Sequence, residues 1–143
     1  MFNPTQQEVR RFFCDVFRKS RHKEILTPLE SIAADWISQH PEYDDTLADP
    51  ERAQDTNYSV DAGKTNPFLH LSMHLSISEQ ISVDQPRGVK AAFLALAHQS
   101  NSEHEAHHQM MECLGEMIWK AQRNGTAPDG DAYIESLRKR IKG

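Results

Sequence analysis

Apolar residues return every three or four positions through most of this chain, and no segment alternates apolar and polar residues as a half-buried strand does. The pattern predicts an all-α fold. Prolines behind capping-type residues mark where the helices begin. Asn3-Pro4 opens a first helix through Phe12, Phe13, Val16 and Phe17, and Thr27-Pro28-Leu29-Glu30 reads as a capping box with proline at the first helical position. That second helix should run to Gln39, where His40-Pro41 stops it. Asn66-Pro67 starts a third helix, and Gln85-Pro86 precedes an alanine-rich fourth around Val89 to Ala97. Ser102-Glu103-His104-Glu105 opens the longest helix, which ends near Asn124-Gly125, and a last one begins around Asp129 with Tyr133, Ile134 and Leu137.

Between Pro41 and Thr65 the chain is polar and turn-rich, as in Tyr43-Asp44-Asp45, Asp49-Pro50 and Asp61-Ala62-Gly63. It reads as a long surface connection, and a connection of that length is often functional or partly helical. A length of 143 residues fits one domain with a real core. The expectation is a single helical domain over residues 1–143, a bundle of five or six helices with a long polar connection between helices two and three.

Successive residues of a helix turn by about 100°. On the third helix His70 and His74 therefore share a stripe with Met73, Ile77 and Ile81, while Phe68, Leu71 and Leu75 widen the apolar surface and Glu79 falls opposite. On the long helix His104 and His108 align with Met111, Gly115, Ile118 and Trp119, so they too should face inward, with Gly115 allowing close approach of another helix. Glu112 lies one turn beyond His108, at the edge of that stripe. Five of the 8 histidines fall in these two helices.

Two facing helices that each offer His-x3-His can hold a divalent metal ion, because neutral imidazole nitrogens bind zinc-like ions at about 2.0–2.1 Å and the ligands must converge from more than one element. The candidate ligands are His70, His74, His104, His108 and Glu112, and the candidate ions are zinc, iron, manganese and nickel. Glu112 would offset charge, and an open position on the ion would supply Lewis-acid or hydroxide chemistry. Glu30 is a further inward carboxylate. A free ion fits better than haem, since no Cys-x2-Cys-His attachment signal is present. The competing reading makes the histidines interior residues hydrogen-bonded to carbonyls or carboxylates. His40 then ends a helix, His22 and His98 sit on the surface, and the methionines at 73, 110, 111 and 117 fill core gaps.

Composition narrows the function further. A net charge of -5 argues against nucleic acid as a partner, and no apolar run approaches the roughly 20 residues of a membrane span. The first residues lack a basic start followed by an apolar stretch, which predicts a cytoplasmic protein. Cys14 and Cys113 match no metal or redox spacing and read as buried reduced thiols. No phosphate-binding glycine loop, serine elbow or nucleotide fingerprint is present, and Gly63-Lys64-Thr65 lacks the upstream glycine of a P-loop. The sequence names no substrate, organic cofactor or catalytic residue.

The strings Asn66-Pro67-Phe68-Leu69-His70-Leu71-Ser72-Met73-His74 and Met111-Glu112-Cys113-Leu114-Gly115-Glu116-Met117-Ile118-Trp119 resemble the signatures of the bacterial domain-of-unknown-function 1841 family. The resemblance extends along nearly the whole chain, through Thr27-Pro28-Leu29-Glu30, His40-Pro41-Glu42-Tyr43, Asp84-Gln85-Pro86 and Ala121-Gln122-Arg123. It transfers no activity. It implies histidine at 104 and 108 and an acidic residue where this chain has His107, which sets His107 apart from the ligand candidates.

Two functions of different class follow. One is a metal-binding helical protein, a hydrolase or oxidoreductase in chemistry, with the four histidines as ligands and Glu112 as ligand or general base. The other is a non-enzymatic helical interaction module, binding a protein partner or a second copy through its Met-rich and aromatic helix faces, with structural histidines. Cysteine nucleophilic catalysis ranks below both, since neither thiol has a context that lowers its pKa.

Overall fold

The computed structural model describes residues 5–56 and 66–142, and every regular element among them is helical. By its internal contacts the chain divides into two compact units, Met1–Leu75 and Ser76–Gly143. The first contains α1 (Gln6–Arg21), α2 (Pro28–Ser38), a 3-10 turn (Pro41–Tyr43), α3 (Asp44–Leu47), α4 (Pro50–Asp55) and the opening turns of α5 (Pro67–Val83). The second contains the rest of α5, then α6 (Val89–Ser100), α7 (Glu103–Asn124) and α8 (Gly130–Arg140).

Local chemistry sets the helix ends. Thr5 caps α1 by accepting from the Glu8 N–H; the Asn3-Pro4 start lies outside the described residues, as does Gly63-Lys64-Thr65. Thr27 and Glu30 form the expected reciprocal capping box on α2, which ends at Ser38 with Gln39 as its cap. The Asn66 side chain accepts from Phe68 and Leu69, Ser102 caps α7 and Asp129 caps α8. Gly125, at φ 63°, closes α7 in the left-handed conformation that glycine adopts without a Cβ clash.

Eight α-helices among the described residues correct the expected five or six. The additions are α3 and α4, which occupy the stretch read as a polar connection. Four and six residues are too few to show a helical apolar period, and their inward side chains reduce to Leu47 and Ala53. The fourth predicted helix begins later than its proline: Gly88, at φ 98°, turns the chain, and the Asp84 carboxylate accepts from the Gly88 and Lys90 N–H groups.

Each unit has its own core. In the first, α1 packs on α2, α3 and α4 around Phe13, Val16, Phe17, Trp36, Ile37, Leu47, Phe68 and Leu71. In the second, α6, α7 and α8 pack on one another, burying Val89, Phe93, Leu96, Met110, Leu114, Ile134 and Leu137, while the Tyr133 hydroxyl donates to Gln80 on α5.

The predicted inward stripe of α7 holds through Met111 and fails beyond it. Ile118 and Trp119 are exposed, and a Cβ built on Gly115 meets nothing within 4 Å, so that glycine serves no close helix approach among the described residues. Gly115→Ala is accordingly expected to stabilise the protein by about 0.5–1 kcal/mol through helix propensity alone, read as a higher urea midpoint. A lower midpoint would contradict the open space at this position.

Candidate metal centre

Trp36 faces the core from the last turn of α2, and its four-residue successor His40 follows onto the same side just past the helix end. His40 is 3% exposed. Its Nδ1 lies 2.7 Å from the Trp36 carbonyl oxygen, which can only accept, so Nδ1 donates there and Nε2 is the ring nitrogen turned toward α5. That nitrogen shares a 3.1 Å hydrogen bond with His70 Nε2. An imidazole oriented by a backbone carbonyl at one nitrogen, with the other directed inward, is the usual preparation of a metal-ligating histidine.

His70 and His74, one turn apart on α5, complete a triad. Their rings pack edge to face with centroids 4.8 Å apart, and His40 lies 4.9 Å from each. Each of the three offers a ring nitrogen within 4.8 Å of the others. Two nitrogens bound at about 2.0–2.1 Å to one ion sit about 2.9–3.4 Å apart at octahedral or tetrahedral angles. The 3.1 Å between His40 and His70 meets that requirement. The aromatic surroundings fix the rings: Trp36 stacks on His74 at 4.0 Å and 15°, and Tyr43 lies parallel to His40 at 5.3 Å. The residues present therefore fit a transition-metal ion on chemistry as well as spacing.

In the second unit, the His104 and His108 rings lie 4.4 Å apart on α7, with nitrogens inside the same 4.8 Å range of one another. Both are half-buried. His107 points elsewhere, buried and edge-on to Phe93. Burial foremost, then repulsion from His104 and His108, lowers its pKa to about 4, so it packs as a neutral ring.

The carboxylate candidates are engaged elsewhere. Glu112 is exposed, and its carboxylate pairs with Arg140 of α8 at 2.7 Å. Glu30 accepts from the Thr27 N–H and pairs with Lys19 at 2.9 Å. The Thr27 N–H first, and Lys19 second, hold its carboxyl below the usual range, a contribution present above that range and lost as pH falls through it. Neither belongs to the histidine grouping. Burial pushes the Cys14 thiol up to about 11, and Cys113 is raised by the same cause, partly opposed by Arg140, which disfavours the thiolate at both.

Sequence reasoning paired His70 with His74 and His104 with His108 but left His40 as a helix end. The available signal was Trp36-x3-His40, a helical interval carried two residues beyond the helix. His22 and His98 are exposed, as expected.

Fold and site define an all-helical protein with a buried histidine cluster able to take a metal ion. Residues 5–139 match the family described as Domain of unknown function (DUF1841), and the chain belongs to that family. Comparison with curated proteins and with solved structures finds no match. No described helix is long and apolar enough to cross a membrane.

Proposed function

We propose that this protein binds one divalent transition-metal ion, with His40, His70 and His74 of the first unit as donors, and that His104 and His108 of α7, paired by their helical spacing, are the further ligand candidates. The observation that carries the reading is His40, whose Nδ1 is anchored on the Trp36 carbonyl while its Nε2 meets His70 Nε2 at 3.1 Å, a separation two ligands of one ion can share. Neutral nitrogen donors without a carboxylate suit zinc, iron or nickel better than manganese, and exclude a magnesium- or calcium-type oxygen cage. Two free buried thiols accord with a reducing cytoplasm.

Elemental analysis of untagged protein purified without chelator tests this. Near-stoichiometric metal is expected, with loss in His74→Ala and in His108→Ala. Loss in His74→Ala alone would confine the ion to the first unit's triad. Exposed Ile118 and Trp119 favour a second reading, an interaction module with structural histidines. Metal-free protein that takes up none of these ions when offered would select it.

A further inference from the structure

We infer that Trp36 is the positioning residue of the metal centre, holding two ligands at once: its carbonyl sets the tautomer of His40, and its indole sets the plane of His74. The inference rests on the metal reading above. Two independent contacts converge on this residue. The carbonyl oxygen accepts a hydrogen bond from His40 Nδ1 at 2.7 Å, which leaves Nε2 as the nitrogen directed at the other two histidines. The indole lies 4.0 Å from the His74 ring at 15°, a face-to-face arrangement that keeps the indole off the ring edge where an imidazole nitrogen binds a ligand.

Burial reinforces the assignment. Trp36 is 8% exposed and His74 0%, so neither ring has a solvated alternative position. Imidazole rotation is the motion that ruins a ligand set, since a nitrogen lone pair is useful only within the ring plane. A broad aromatic face against His74 suppresses that rotation, and an aliphatic side chain does not. Being one residue, Trp36 also couples the two ligands: a shift of the last turn of α2 moves the His40 acceptor and the His74 face together.

Cobalt(II) is the probe, because its visible absorption reports ligand geometry as well as occupancy. Trp36→Phe keeps a stacking ring and the carbonyl, and should bind within a few-fold of wild type with an unchanged spectrum. Trp36→Leu keeps the carbonyl but loses the face, and is expected to bind about 10–100-fold more weakly with a shifted spectrum at saturation. A Trp119→Phe protein retains Trp36 as the only tryptophan and needs no change at the site. Its emission should fall saturably with the same midpoint as the absorbance. Trp36→Leu with wild-type affinity and spectrum, or Trp36 emission indifferent to bound cobalt, would overturn the assignment while leaving the metal site standing. Wild type that takes up no cobalt would overturn the metal reading itself.

Discussion

A chelator added to the metal-loaded protein is expected to lower its thermal midpoint by roughly 12 °C. An ion that binds only the folded chain stabilises it by RT ln(1 + [L]/Kd), about 4 kcal/mol at a free ion concentration 1,000-fold above Kd. For a chain of this length each kcal/mol moves the midpoint by roughly 3 °C. The unfolded chain competes little, because His40 follows α2 while His70 and His74 lie on α5, and only the folded first unit brings these elements together. Melts by circular dichroism with ion, with chelator, and with ion restored after chelator should show a reversible shift. The His74→Ala, His108→Ala double variant should melt at the same temperature in all three. A wild-type midpoint indifferent to chelator at confirmed loading would mean the ion contributes nothing to folding, and an interior hydrogen-bond network would then account for the histidines.

Much of this site was visible in the sequence, and the reasons for the gaps are physical. His70 and His74, like His104 and His108, are neighbours by helical geometry alone, so any reading that found the helices found the pairs. The ends of those helices were equally visible, because Thr27, Ser102, Asp129 and Gly125 act on groups a few residues away. His40 was hidden by the helix boundary: the residue that stops α2 also carries the α2 register one step further, and Pro41 drew attention only to the stop. Glu112 failed in the opposite direction. Helical spacing put it at the edge of the inward stripe, yet its carboxylate pairs with Arg140, which arrives through the packing of α8 on α7, and nothing local announces that partner. On α7 the apolar stripe was extrapolated over a 22-residue helix whose cover ends before Ile118 and Trp119. The short helices α3 and α4 carry too few residues for periodicity, and α4 exists by virtue of a side chain far away in sequence.

That side chain is Arg10, and Arg10→Met is expected to destabilise the protein by about 3 kcal/mol. A six-residue helix is too short to persist by itself, since nucleation costs more than its few hydrogen bonds return. Its terminal carbonyls have no helical partners and must find donors elsewhere. Arg10, 8% exposed on α1, supplies them: Nη1 lies 2.8 Å from the Ala53 carbonyl, 3.2 Å from Gln54 and 3.0 Å from Thr56. The cation also sits at the negative end of the α4 dipole and over the Phe68 ring at 5.6 Å. Methionine preserves much of the apolar stem but leaves those carbonyls without their charged donor, and buried acceptors stripped of such a partner cost about 1–3 kcal/mol each, less than additively. Lysine, a point charge on a flexible stem, should recover only part of the loss. Urea denaturation measures the total, and amide exchange locates it: protection should fall first within α4 and where α1 packs on it. A change below about 1 kcal/mol would show that α4 is held by Ala53 packing and not by the guanidinium, whereas a large loss with α4 still protected would place the role of Arg10 at Phe68 on α5.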